Sequence, residues 1–416
     1  MKKKILGVLL AATTCMSMLV GCGSANSAAG SEDTDSTALA NTDEGSTISV
    51  SDIKIGVIYI GDENEGYTAA HMEGIDQMQE ALGISDDQII EKTLVPEDES
   101  CTDAAEDMVD QGCNIVFATS FGHESYLMQV AAEYPDVEFC HATGYQAATS
   151  GLSNFHNYFD NIYEARYVSG VVAGLKLNEM IENGDITADE AKVGYVGAYP
   201  YAEVISGFTS FYLGVKSVCE TATMEVQYTN SWADMTAESE VATSLIADGC
   251  VLMSQHADTT GAPTACEAAG VPCVGYNVDM TTVAPTCALT SATNNWGVYY
   301  TYAVQAVLGG ESMPTDWTAG YNDGAVAITD LNESAVADGT AQKVAEVEAA
   351  LADGSLHVFD TSTFTIGGKS LEDAIAEGGD YAGYADYVSD GYFHESELAS
   401  APAFDIIIDG IVSNAN

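Results

Sequence analysis

The sequence predicts an α/β protein of two similar lobes, each built on a parallel sheet. From Asp52 onward, short apolar runs alternate with segments of helical periodicity, a pattern that gives parallel strands joined by right-handed crossovers. A fresh strand–helix series begins near Lys192. The 416 residues and 47% hydrophobic content leave room for two or three compact units, each with a real core.

The first unit is a predicted strand over Ile53–Ile60, a Gly-bearing loop over Gly61–Gly66 and a helix over Thr68–Leu82, in which Met72, Ile75, Met78 and Leu82 recur at helical spacing. The pattern repeats at Asn114–Ala118 with Glu124–Glu133, and again at Val137–His141. It resumes at Lys192–Val196 with Val204–Val218, at Val251–Gln255 and at Val271–Tyr276. After Gly310 the order loosens into an acidic, Gly-rich region. A hairpin is expected at His357–Lys369 around Gly367-Gly368, and a final helix over Glu395–Val412.

The N-terminus is of a different kind. Lys2, Lys3 and Lys4 precede an apolar run from Ile5 to Val20 and then Gly21-Cys22, the arrangement of an export signal over residues 1–21. Leu19-Val20-Gly21-Cys22 resembles a bacterial lipobox, whose Cys becomes the lipidated first residue of the mature chain; an ordinary secretory signal is the alternative. Gly23 to about Val50 is a Ser/Ala/Thr/Asp/Gly tract without an aromatic residue, suited to a tether rather than a core. No later segment is apolar enough to span a bilayer.

With 11 Lys+Arg against 63 Asp+Glu and a formal charge of −52, the chain lacks the basic surface that nucleic-acid binding requires. Cys101, Cys113, Cys140, Cys219, Cys250, Cys266, Cys273 and Cys287 form no CxxC pair, and the histidines form no HxxxH pair, so neither a metal site nor a cofactor is expected. Export permits disulfides, but several of these cysteines open apolar strands, where a free thiol serves as a small buried hydrophobe, so buried thiols are expected slightly ahead of bridges.

Ligands of parallel sheets bind beyond the carboxyl ends of the strands. Enzyme motifs are missing there: Gly61-Asp62-Glu63-Asn64-Glu65-Gly66 lacks dinucleotide spacing and offers acids to a pyrophosphate, and no P-loop or GxSxG elbow occurs. Gln255-His256-Ala257-Asp258 reads as a polar binding loop, with an acid–base pair as the alternative. What the loops share is aromatic rings beside hydrogen-bonding groups: Tyr67 with His71, Phe121 after Ser120, Tyr145, Tyr199, Trp232 after Asn230, Tyr276 with Asp279, and Trp296 after Asn295. A flat heteroaromatic ligand held between rings needs this inventory.

Four segments carry a family likeness: Ala118-Thr119-Ser120-Phe121-Gly122, Tyr134-Pro135-Asp136-Val137, Tyr163-Glu164-Ala165-Arg166-Tyr167 and Leu289-Thr290-Ser291. They resemble the basic membrane protein family, substrate-binding lipoproteins of ABC importers that include purine nucleoside receptors. The likeness runs from about Lys54 to Gly310, and more weakly to Phe404-Asp405 and Gly410. It implies a type I periplasmic-binding-protein fold, two Rossmann-like lobes joined by a hinge and closing on the ligand. The implied organisation is a signal over 1–21, a lipidated Cys22 and linker over 22–51, a first lobe over 52–164 with about 277–310 returning to it, and a second lobe over 165–276 with about 311–416.

Nucleoside receptors of that family carry DxSFN after the first strand, the Phe stacking on the base. Counted back from Glu73-Gly74, that Phe falls on Tyr67, the following Asn on Thr68 and the Asp on Asn64; the second stacking Phe falls on Trp232. The ribose-binding Asp falls on Asn277 of Gly275-Tyr276-Asn277-Val278-Asp279, and the sugar-binding Lys on Asn294. A subgroup associated with purine bases is closer, having an aromatic and a His at the positions of Tyr67 and His71 and a Gln-His-x-Asp loop. The resemblance therefore implies a non-catalytic, lipid-anchored receptor that passes a purine-like heteroaromatic, a free base before a nucleoside, to an ABC permease. Its expected ligand-binding residues are Tyr67, Thr68, His71, Ser120, Phe121, Tyr145, Tyr199, Trp232, His256, Asp258, Asn277, Asp279, Asn294 and Trp296. A nucleoside receptor, a secreted nucleoside hydrolase using His256 and Asp258, and a ligand sensor remain as alternatives.

Overall fold

The computed structural model describes residues 48–414, so the expected signal peptide, Cys22 and most of the linker lie outside the described residues. The chain opens with β1 (Ile55–Ile58), α1 (Gly66–Leu82), β2 (Ile89–Lys92), α2 (Glu99–Asp110), β3 (Ile115–Ala118), α3 (Glu124–Glu133), β4 (Glu138–Ala142), α4 (Ala147–Ser150) and β5 (Phe155–Tyr158). A second series follows: α5 (Ile162–Asn183), β6 (Lys192–Gly197), α6 (Ala202–Val218), β7 (Thr223–Tyr228), α7 (Met235–Ala247), β8 (Leu252–Gln255), α8 (Gly261–Ala269), β9 (Cys273–Tyr276), β10 (Ala288–Asn294) and α9 (Gly297–Gly309). The remainder holds β11 (Asp316–Trp317), β12 (Val326–Ile328), α10 (Thr340–Ala352), α11 (Leu371–Glu377), the two-residue strands β13 (Val388–Ser389) and β14 (Tyr392–Phe393), and β15 (Ile411–Asn414).

Two sheets result, ordered β11-β5-β4-β3-β1-β2 and β12-β10-β9-β8-β6-β7-β15. Every neighbouring pair in them is parallel except β10 with β12. All residues of β1, β3, β8 and β9 are buried, because helices cover both faces of each sheet and leave no polar face to alternate with. Side chains such as Ile55, Phe117 and Tyr300 fill one face of the first sheet, with Val116, Leu127 and Phe139 on the other. The second sheet is filled likewise by Val193, Phe208 and Phe404, and by Val196, Leu245 and Met253. All eight cysteines of this region are buried free thiols.

The chain crosses between the sheets three times, after β5, after β10 and between β11 and β12. The crossings are tied together by Phe159 N–H to Trp317 O (3.1 Å), Asn161 N–H to Ala319 O (2.8 Å) and Asn295 N–H to Ala325 O (2.7 Å). This corrects the expected boundaries. Of the segment 277–310, β10 belongs to the second sheet, where it pairs with β9, while α9 packs on α1 in the first lobe. Conversely β11, expected with the second lobe, pairs with β5.

Two expectations for the C-terminal region are also corrected. Residues 395–412 form no helix; Pro402 interrupts the run, and beyond it buried Phe404, Ile406 and Ile408 alternate with exposed Asp405, Ile407 and Asp409, an extended-chain period of two. The hairpin at His357–Lys369 shrinks to its tip. Gly367 and Gly368 take positive φ (57° and 78°) between the bridged residues Ile366 and Lys369, and Asp409 accepts both glycine N–H groups. Asp360 bridges instead to Tyr392.

Candidate functional site

A cavity of about 1180 Å³ opens between the two sheets beyond the carboxyl ends of their strands. Its first-lobe wall begins at the loop after β1. Glu65 caps α1, its carboxylate accepting from Tyr67 N–H (2.6 Å) and Thr68 N–H (2.9 Å). Thr68 is turned inward, its hydroxyl taking Gly61 N–H (3.2 Å). Tyr67 is thereby aimed across the loop and donates its hydroxyl to Thr119 O (2.7 Å) at the end of β3. Its ring stands edge-on to His71 (centroids 4.5 Å apart, 85°), and His71 stacks on Trp296 (4.2 Å, 16°). His71 also bonds Tyr300 through Nδ1 (2.7 Å), and burial pushes its pKa well below the usual range, so the ring is neutral.

Phe121, Tyr145, Tyr199, Tyr201 and Trp232 carry the wall across to the second lobe. Phe121 lies face to face with Tyr201 (5.4 Å, 28°), Tyr201 with Tyr199 (5.1 Å, 12°), and Tyr199 meets Trp232 at 5.0 Å. Ser120 lines the cavity and donates to Glu97 (2.6 Å).

At the floor, His256 Nε2 meets both oxygens of Glu203 at 2.7 Å, and Nδ1 meets the Tyr195 hydroxyl at 3.3 Å. Burial lowers the His256 pKa against the pull of Glu203, so the contact is a neutral imidazole donating to a carboxylate rather than an ion pair. Asp258 is buried, accepts the Asn277 amide on Oδ1 (2.8 Å), and is pushed well above the carboxylate range by burial and then by Glu65, Glu238 and Glu203. Its carbonyl takes Gly66 N–H (3.0 Å), joining the lobes. Beneath lies Arg166, the chain's single arginine, bonded to Gln255 O (2.6 Å) with its guanidinium 3.6 Å over the Tyr276 ring.

Of the expected residues, Tyr67, Ser120, Phe121, Tyr145, Tyr199, Trp232, His256 and Asp258 line this cavity together. The other six do not. Thr68, His71 and Trp296 form the layer behind Tyr67; Asn277, held at φ 64°, spends its amide on Asp258; Asn294 is buried with both amide atoms unpartnered; Asp279 caps the turn at Met280–Thr282. Sequence reasoning missed Tyr201, Glu203, Glu65 and the outer wall of Asp380, Tyr384 and Tyr387. Tyr201 and Glu203 follow Tyr199 in the same post-strand loop and first helical turn, a signal within reach. The outer wall sits in a stretch with no periodicity to announce it. Among the described residues no group of three His, Cys, Asp or Glu is disposed to hold a metal, and no helix is long and apolar enough to cross a membrane.

Residues 53–355 match the family described as Bmp, ABC transporter substrate-binding protein PnrA-like. The chain belongs to this family. As a Bmp protein it is an ABC transporter substrate-binding protein, a class that binds a small molecule and engages a permease. It is 32% identical over 311 residues to a purine-binding protein of Brucella abortus, across 74% of this chain and 83% of that one. A Haloferax volcanii protein named for glucose binding is 30% identical over 251 residues, 60% of each chain. In three dimensions the Bmp chain is similar to an ABC transporter solute-binding protein of Aeropyrum pernix, with a TM-score of 0.63 and 16% identity over 78% of this chain and 96% of that one, which shows the type I periplasmic-binding-protein fold.

Proposed function

We propose that this Bmp protein is a lipid-anchored extracytoplasmic receptor that binds a purine-like heteroaromatic between its lobes and delivers it, unchanged, to an ABC permease. The observation that carries the reading is the inter-lobe cavity lined with ring faces, to which Tyr67 and Trp232 contribute from opposite lobes. The purine-binding name of the Brucella relative supports the same ligand class. Tyr67 and Trp232 are the proposed sandwich, with His256, Asp258 and Ser120 offering polar groups to the ring edge. A hydrolase reading finds less support, since the family that residues 53–355 match is described as one of substrate-binding proteins.

Within that class the free base is favoured over the nucleoside, because Asn277 and Asn294 stand where the family likeness expects a ribose-binding carboxylate and Lys. Neither asparagine lines the cavity, so a sugar there lacks both charged contacts, each contributing about 1.5–3 kcal/mol against about 0.5–1.5 for a neutral bond from another group, roughly 2–3 kcal/mol in all. Calorimetric titration should give adenine and guanine about ten to a hundred times the affinity of adenosine and guanosine. Tighter nucleoside binding would reject this preference. The anchor is tested separately: Cys22→Ala should release the protein from membranes, and unchanged retention would count against lipidation.

A further inference from the structure

The walls of the cavity carry an electrostatic imbalance. Asp62 and Glu65 face it from the first lobe, Glu203 and Asp258 from the second and Asp380 from the outer wall, yet no Lys or Arg lines it. In so acidic a chain, carboxylates at the exposed mouth mean little, and Asp62 and Asp380 are of that kind. Glu65 and Asp258 are different: they are 8% and 6% exposed, at a depth where a charge costs several kcal/mol, a cost that Glu65 offsets in part by accepting from Tyr67 N–H and Thr68 N–H. Glu203 lies beside them on a neutral imidazole that returns no full charge. Asp258 bonds Asn277 through Oδ1 alone, and its other oxygen has no partner among the described residues. The one cation nearby, Arg166, lies outside the lining, bonded through Nη1 to Gln255 O and set over the face of Tyr276, with Nε and Nη2 buried and unpartnered.

With the cleft empty, burial keeps Asp258 protonated and raises Glu65 as well, so a cationic ring can take the place of the proton inside this box of aromatic faces. Aromatic faces attract cations as carboxylates do, and a desolvated box strengthens both attractions. We infer that the preferred ligand is a positively charged heteroaromatic, a ring bearing a fixed or readily acquired proton or alkyl charge, and that phosphorylated forms are rejected. The inference rests on the proposed heteroaromatic site and adds the sign of the ligand's charge.

Calorimetry on the purified full chain at neutral pH, freed of carried-over ligand, tests it with adenine, a ring-methylated adeninium cation, adenosine monophosphate and thiamine. The adeninium cation should bind at least about tenfold more tightly than adenine, and the monophosphate at least about tenfold more weakly. Glu203→Gln should shrink the preference for the cation by about fivefold or more, and Asp258→Asn, if it folds, should do the same. Adenine binding as tightly as its cation would overturn the charge inference while leaving the purine reading intact. Thiamine binding where neither adenine form binds would uphold the charge inference and overturn the purine one. Binding of none of these probes would overturn both.

Discussion

Tyr67 and Trp232 are held in different ways. Tyr67 is fixed at its hydroxyl by Thr119 and along its edge by the His71–Trp296 stack, whereas Trp232 is half-buried and rests on Tyr199 and Tyr201. Removing Tyr67 would also uncover the stack behind it, so Trp232 is the cleaner probe. Trp232→Ala should weaken binding of the proposed heteroaromatic ligand at least about tenfold, since a ring pair contributes about 0.5–1.5 kcal/mol beyond its buried area. Near-native affinity in a variant with unchanged melting temperature would remove Trp232 from the sandwich. At this scale the sequence was readable in part. A ring in a loop after a parallel strand is a fair sign of the cleft, and Phe121, Tyr145 and Tyr199 are there. Nothing in Asn295-Trp296 or Tyr67-x₃-His71 says whether a ring faces the ligand or props up the residue that does, because that depends on how α9 sits against α1. Asn277 illustrates the same limit: its position aligns with a sugar ligand, while its positive φ turns the amide onto Asp258.

Among the elements, the crossing of α5 and α6 is the tightest. A Cβ added at Gly170 would run into the carbonyl of Phe211, and one at Gly214 into that of Tyr167, so the two helices meet backbone to backbone. Gly normally costs a helix about 0.5–1 kcal/mol against Ala, and here close approach outweighs that cost. Gly170→Ala should therefore destabilise the protein, by about 1–3 kcal/mol or more, despite the gain in helix propensity. A thermal melt at or above that of the parent would show that the helices can separate without loss. Strands β1, β3, β4, β6, β8 and β9 and helices α1, α3 and α6 were legible to within a few residues from their apolar runs and periodicity, whereas β2, β5, β7 and β10 and helices α2, α5, α7, α8 and α9 were not singled out. Nor was the tail legible. Its apolar residues suggested a helix, and the alternation of Phe404, Ile406 and Ile408 with Asp405, Ile407 and Asp409 was the signal that favoured an extended chain laid on the second lobe.

For the molecule as a whole, burial governs the response to pH. Glu164, Glu238 and Glu395 are each raised from 4.5 to about 7, chiefly by desolvation. Across that window the folded chain keeps protons the unfolded chain has released, so stability falls as pH rises from 4.5 to 7. Asp107 and Asp409 act oppositely: hydrogen bonds, from Lys92 and Thr365 first, hold them below 3.8, and their contribution fades as pH drops further. With a net charge of −52 adding self-repulsion toward neutrality, the melting temperature should peak at mildly acidic pH. A melting temperature that climbs steadily to neutral pH would contradict this. The threading of the sheets has a bearing on biogenesis. The first sheet is completed by β11, synthesised long after β5, and the second by β15, whose residues 411–414 pair with 224–227 of β7. Neither lobe is a contiguous stretch that a ribosome can finish and release as a folded unit. Native pairing must wait for distant partners, which slows folding and lengthens exposure of unpaired strand edges. A nascent chain of this design stays open to chaperones and translocation machinery until β15 has been made.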